Sequence, residues 1–214
     1  MRIGIFGGTF DPVHESHIEI GLAALRQCGL DKVFYVPTRP WQKTARASEE
    51  ARAEMLSLAL APYADRLIVD RRELDRGGPS YSIDTLYSFR KEFGSKASLF
   101  FILGTDQWQN LKTWILWQKF PLLSNLLVFV RNAQSGPNPY GEAFPTVRSA
   151  ELGDKLPPNG LIVFADFEPK PFSSTDIRRS LTEDSLRTQR IEGLPASVQR
   201  YILEKNLYLP APQK

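Results

Sequence analysis

Apolar residues along this chain come in two rhythms. Short continuous runs stand at Ile3–Phe6, Val33–Val36, Leu67–Val69, Ser98–Leu103, Leu126–Val130 and Leu161–Phe164. Between them the spacing lengthens to three or four residues: Ile18, Leu22 and Leu25; then Met55, Leu56, Ala59 and Leu60; then Ile83, Leu86, Phe89 and Phe93; and finally Val198, Tyr201 and Ile202. The runs predict strands buried on both faces, and the longer spacing predicts amphipathic helices. The punctuation agrees. Gly29 and Gly94 sit where helices end, Ser48-Glu49-Glu50 opens one, Ser80 or Ser82 could cap another, and Pro195 suits the first turn of the last.

Strands that alternate with helices predict an α/β fold, a doubly wound parallel sheet with helices on both faces. Ser98–Leu103, apolar on both faces, is its expected central strand. Residues 107–120 read as short helical pieces, and 132–146, rich in Gly, Pro and Asn, as a long surface loop. The length fits one domain over 1–214: an α/β core to about residue 170 and a small C-terminal helical part over about 171–214. In such sheets ligands bind beyond the carboxyl ends of the strands, where strand order reverses. Three polar stretches follow predicted strands, Gly7–His17, Thr38–Lys43 and Gly104–Asp106, and should therefore share one rim.

Composition narrows the possibilities. Hydrophobic residues make up 42% and charged residues 24%, with a formal charge of +3 and no basic cluster, so neither nucleic acid nor a membrane is an expected partner. No apolar run approaches the roughly 18 residues that span a bilayer. The N-terminus enters strand pattern at once without a leader, and Cys28 is the only cysteine, so a reducing, cytoplasmic setting is expected. Both histidines of the chain, His14 and His17, fall in one strand-to-helix turn.

That turn is Gly7-Gly8-Thr9-Phe10-Asp11-Pro12-Val13-His14-Glu15-Ser16-His17. Loop N–H groups and a helix start both present positive dipole to an anion, so the order makes a phosphate cradle. It fits neither the G-x-G-x-x-G nor the G-x-x-x-x-G-K-[ST] fingerprint. The bland alternative is a turn with two surface histidines; zinc is disfavoured because no other His or Cys lies near enough in sequence to complete a ligand set. A second stretch, Phe172-Ser173-Ser174-Thr175-Asp176-Ile177-Arg178, offers hydroxyls at a helix start and a guanidinium fork for phosphate, against the alternative of an ordinary capped helix. In a third, Gly104-Thr105-Asp106 precedes Trp114; Asp106 could accept from ribose hydroxyls and Trp114 could stack on a ring, although Ile115 and Trp117 also fit a plain core.

The pattern G-G-T-F-D-P-x-H-x-x-H resembles the signature of the H-x-G-H nucleotidyltransferase superfamily, which has a Rossmann-like fold. Its longer form is similar to that of the bacterial nicotinate mononucleotide adenylyltransferases. Phe172–Arg178 resembles that family's I-S-S-T-x-I-R, Gly104–Asp106 with Trp114 its G-x-D…W, and Pro79-Ser80-Tyr81-Ser82 its P-S-Y-T. The likeness covers essentially the whole chain, down to Leu207-Tyr208. Two departures stand out: Ser16 replaces the glycine between the histidines, and Pro40-Trp41-Gln42-Lys43 keeps the lysine but loses the histidine of P-P-H-K.

The resemblance implies adenylyl transfer from ATP, accompanied by Mg²⁺, to nicotinate mononucleotide. It implies His14, His17, Lys43 and Arg178 as catalytic residues. Gly7, Gly8, Thr9, Phe10, Ser173, Ser174 and Thr175 join the histidines and Arg178 around ATP. Tyr81, Ser82, Thr85, Asp106, Trp114 and Arg131 are implied around the mononucleotide, and no resident metal site is. Nicotinamide mononucleotide or another phosphorylated acceptor is an alternative substrate, and a nucleotide sensor without turnover is an alternative function. Oligomeric state is not readable.

Overall fold

In the computed structural model, which describes residues 1–39, 45–129, 138–165, 167 and 169–209, the apolar runs become strands of one sheet. These are β1 (Arg2–Gly8), β2 (Lys32–Pro37), β3 (Leu67–Val69), β4 (Ser98–Gly104), β5 (Asn125–Phe129), β6 (Thr146–Arg148) and β7 (Ile162–Phe164). They lie in the order β3-β2-β1-β4-β5-β7-β6, and every neighbouring pair is parallel. β4 is the middle strand, as its unbroken apolar run requires of a position covered on both faces. The doubly wound expectation holds. β6 was not expected: it starts at the last residue of the stretch read as a surface loop. At the sheet's edge its Thr-Val-Arg sequence carries no apolar run to signal it.

The helices are α1 (Glu15–Gln27), α2 (Glu49–Leu60), α3 (Arg72–Arg76), α4 (Ser82–Phe93), α5 (Thr105–Gln109), α6 (Phe120–Leu123), α7 (Ser174–Ser180), α8 (Glu183–Thr188) and α9 (Ala196–Glu204). Period-two alternation sorts the sheet into two cores. Ile3 and Ile5 of β1 pack with Leu99, Phe101 and Leu103 of β4 and with α4 and α6. Phe6, Phe100 and Ile102 point the other way, into a core shared with α1, α2 and α9. Ser48 caps α2 by accepting the Ala51 N–H at 3.1 Å, as its position before two acids predicts. At α4 neither candidate serine is the cap. Tyr81 holds the N-cap position, while the Ser80 hydroxyl accepts the Arg39 N–H at 3.0 Å.

One register detail creates the site. β1 and β4 are paired only from Arg2↔Ser98 to Ile5↔Phe101, yet the strands continue to Gly8 and Gly104. Strand order reverses between these two strands, so their unpaired ends frame the crevice where such sheets bind ligands. Among the described residues no helix is long and apolar enough to cross a membrane.

Candidate active site

Beyond Gly8 the chain turns sharply. Phe10 adopts a left-handed backbone, φ 48°, uncommon for a side-chain-bearing residue. Its ring folds back over Gly8, where a Cβ would lie 2.8 Å from the ring's edge, so the glycine is what allows the turn to close. The ring then meets Phe6 and His17 edge-on, with centroids 5.6 and 5.0 Å away. Asp11 is 5% exposed, and its carboxylate is taken up within the protein: it accepts the N–H groups of Arg46 and Ala47 and the hydroxyl of Tyr208. Burial and this carboxylate together push the Tyr208 hydroxyl pKa far above its ordinary value.

His14 precedes the first residue of α1. Its backbone N–H donates to His17 Nδ1 at 3.2 Å, one half of a capping box. An Nδ1 that accepts leaves the proton of a neutral His17 ring on Nε2, as a donor. The two imidazoles lie close together and tilted, with centroids 3.7 Å apart and ring planes 31° from parallel. α1 is seated on the sheet by Tyr35, whose hydroxyl donates to the His17 carbonyl at 2.8 Å; only a glycine at 21 leaves room for it.

The second signature is bolted to the first. Ser174 Oγ donates to the Pro12 carbonyl at 2.9 Å and Arg178 Nη1 to the Asp11 carbonyl at 2.5 Å. Ser173 caps α7 through the Asp176 N–H. Ser16, the departure between the histidines, is 2% exposed and donates from Oγ to the Lys170 carbonyl at 2.7 Å.

These elements enclose a cleft with two lobes. The first, about 480 Å³, is walled by Gly7–Asp11, His14, Ser16, His17, Thr105, Asp106 and Ser173–Thr175 with Arg178. The second, about 410 Å³, is walled by Arg39, Tyr81, Ser82, Phe101, Thr113, Trp114 and Phe120. Both lobes touch Gly7, Gly8, Thr9 and Gln107, so they meet over the glycine turn. Each has the volume of a small-molecule site. Trp114 is half-buried, edge-on to Phe101 and Phe120, and so belongs at once to the core and to the wall of the second lobe.

The structure thus gathers most of the sequence-predicted residues in one place. Thr85 is the exception. It is 1% exposed, it lies behind the lobe wall, and its hydroxyl donates to the Glu73 carboxylate. Helical periodicity turns it to the buried side of α4 with Leu86 and Phe89. Asp106 lines the first lobe rather than the one that holds Trp114. Lys43 and Arg131 lie outside the described residues. Sequence reasoning missed Gln107, which touches both lobes, and Arg39, held bidentately by Glu49 at 2.6 Å on each arm. It also missed buried Glu73, whose carboxyl is pushed up by desolvation.

A doubly wound sheet whose switch point carries a glycine turn and two adjoining histidines defines a nucleotide-handling α/β protein. Residues 5–180 match the cytidylyltransferase-like family, and the chain belongs to it. Within that family it groups with the nicotinate-nucleotide adenylyltransferases. It is similar to a probable nicotinate-nucleotide adenylyltransferase of Legionella pneumophila (strain Paris), 38% identical over 96% of this chain and 98% of that one. A protein of the same description from Chromobacterium violaceum is 34% identical over 97% and 98%. Among solved structures, Plasmodium falciparum nicotinic acid mononucleotide adenylyltransferase complexed with NaAD superposes with a TM-score of 0.69 at 17% identity, covering 97% of each chain, a likeness of fold.

Proposed function

We propose that this chain transfers the adenylyl group of ATP to nicotinate mononucleotide, forming nicotinate adenine dinucleotide and pyrophosphate. The observation that carries the reading is the meeting of the two lobes over Gly7–Thr9 and Gln107. A nucleotide in each lobe brings two phosphates together at the glycine turn. A phosphate oxygen of the mononucleotide attacks the α-phosphorus of ATP; the new P–O bond forms as the bond to the β-phosphate bridge breaks, and pyrophosphate leaves with that electron pair. No general base is required, because a phosphate monoester with a second pKa near about 6 is already mostly dianionic at neutral pH. The protein's task is to hold two polyanions in line and stabilise charge on the leaving group.

In this reading the first lobe takes ATP. His17, through Nε2–H, stabilises charge as the α-phosphate bond breaks, with His14 beside it. N–H groups of Gly8, Thr9 and Phe10 face the same phosphate, while Lys43, Ser173, Ser174, Thr175 and Arg178 serve the remainder of the triphosphate. Since Ser174 and one arm of Arg178 already hold the turn's carbonyls, part of their contribution is to fix that turn. Trp114 flanks the pyridine ring in the second lobe, and the Tyr81–Ser82 main chain lies where the ring's carboxylate would bind. Asp106 reaches a ribose from the first lobe, and the resemblance assigns Arg131 to the mononucleotide as well. Mg²⁺ enters with ATP as part of the substrate. Its ligands are mainly phosphate oxygens of ATP and water. Residues 1–214 act as one catalytic unit. The cytoplasm, where both substrates occur, suits its single cysteine.

The test is pyrophosphate release from ATP and Mg²⁺ with nicotinate mononucleotide, nicotinamide mononucleotide and phosphopantetheine in parallel wells. Fastest release with the nicotinate acceptor supports the reading. Faster release with another acceptor overturns the substrate, and ATP binding without any release overturns the reaction.

A further inference from the structure

α2 carries its buried stripe at positions 52, 55, 56, 59 and 60, and four of the five residues are Met55, Leu56, Ala59 and Leu60. The fifth is Arg52, 1% exposed. A buried cation is costly, and an apolar side chain on that stripe would pack without the cost. Among the described residues Arg52 has no ion pair: Nη1 donates to the Thr9 carbonyl at 2.7 Å, and Nε has no partner. Asp11, Glu49 and Glu50 attract it from a distance, while burial lowers its pKa from a value so high that the guanidinium stays charged.

The bond to Thr9 determines more than its own geometry. The Thr9 carbonyl and the Phe10 N–H belong to one planar trans peptide, in which C=O and N–H point in opposite directions. Arg52 takes the carbonyl from the α2 side and is not part of the cleft wall, whereas Thr9 and Phe10 are. The Phe10 N–H therefore leaves on the cleft side, and no acceptor among the described residues takes it. A cation on the carbonyl also polarises the peptide and strengthens its N–H as a donor.

We propose that Arg52 is a positioning residue for phosphate binding: from beneath the glycine turn it aims and polarises the Phe10 N–H toward the phosphates of ATP. Its positive charge also lies just under the polyanion. This rests on the assignment of the first lobe to ATP, and the experiment separates the two. The probes are α,β-methylene-ATP with Mg²⁺, followed by calorimetry, and nicotinate mononucleotide, followed by quenching of tryptophan fluorescence. Arg52→Met should weaken the ATP analogue about tenfold, the factor that corresponds to ~1.4 kcal/mol, and leave the mononucleotide Kd within about twofold. Arg52→Lys, which keeps the charge and one donor, should recover most of the loss. In wild-type protein the Phe10 amide ¹H–¹⁵N signal should move on adding the analogue, and move less in Arg52→Lys. Analogue binding that leaves the Phe10 amide unmoved overturns the Arg52 role alone, even if Arg52→Met fails to fold. So does an equal loss of both ligands in Arg52→Met. Wild-type protein that binds the mononucleotide but no analogue overturns the assignment of the lobe itself.

Discussion

Replacing Ser16 by alanine distinguishes two roles for a hydroxyl between the paired histidines. Ser16 lines the first lobe, so it could donate to a phosphate, but its Oγ already donates to the Lys170 carbonyl at 2.7 Å. That carbonyl also accepts the Phe172 N–H at 2.9 Å, so Ser16→Ala orphans no acceptor and costs only the net worth of one hydrogen bond. That worth is about 1 kcal/mol. In a chain of this size it corresponds to a fall in Tm of about 2–4 °C. The lost strap loosens the segment that leads into α7, and ~1 kcal/mol is roughly a fivefold effect. KM for ATP should therefore rise no more than about fivefold, with kcat nearly unchanged. Ser16→Gly adds up to about 1 kcal/mol of backbone entropy within a helix and should melt lower still. Steady-state kinetics and thermal melts on both variants decide the matter. A kcat loss of about 10²–10³, the size expected when a transition-state donor is removed, with an unchanged Tm would refute the strap.

His17→Ala should lower kcat by about 10²–10³ with little change in either KM; near-normal turnover at saturating substrates would remove His17 from the chemistry. Trp114→Ala should raise KM for the mononucleotide about tenfold, the scale of a lost aromatic stack, and an effect confined to ATP would contradict the stacking role. Burial raises the Glu73 carboxyl above its ordinary value. The folded state therefore holds a proton that the unfolded state releases, and stability is lost as pH climbs from the ordinary carboxylate value through the raised one. Glu73→Gln should close that loss, so its Tm advantage over wild type should grow as pH climbs above the ordinary carboxylate value of about 4; an advantage that shrinks with pH would be the wrong sign. Cys28, buried with its thiol pushed up to about 12, should resist Ellman's reagent in the native protein and react once guanidinium unfolds it.

The architecture was legible because a parallel sheet writes itself as apolar runs. β4, buried on both faces, carries the longest run in its middle, and the glycine turn follows directly on β1. What escaped had no such signal. β6 spans three residues, pairs on one side only and exposes both Thr146 and Arg148, so its sequence reads as loop. Thr85 lies three residues beyond Ser82 on the same face of the helix, one turn further along its axis, where its hydroxyl is buried against Glu73 instead of lining the lobe. Ser174 and Arg178 were legible as donors, but not that the carbonyls of the first signature would be among their acceptors. Arg52 could have been found, since it is the one charge on an otherwise apolar stripe. A break in hydrophobic periodicity deserves the same scrutiny as a motif.

The left-handed Phe10 and the long separation between the two signatures have a common explanation. A non-glycine residue at φ 48° costs on the order of 1–3 kcal/mol and persists only where its surroundings over-determine it. Here Arg52 takes the Thr9 carbonyl, Arg178 the Asp11 carbonyl and Ser174 the Pro12 carbonyl, while Tyr208 and the N–H groups of Arg46 and Ala47 hold the Asp11 side chain. These contacts come from four separate parts of the chain, two of them more than 150 residues away, and all of them pull on acceptors. The Thr9 bond fixes the peptide that carries the Phe10 N–H, the donor proposed above for phosphate, while the bonds to the Asp11 and Pro12 carbonyls and to the Asp11 carboxylate fix the segment that leads from the turn into α1. Anion binding of that kind depends on donors that need not reorganise as charge shifts between phosphates. The C-terminal helical part therefore works at a distance from the strands it covers: without α7 and Tyr208, the opening turn would keep its glycines and histidines but lose the contacts that fix its peptide planes.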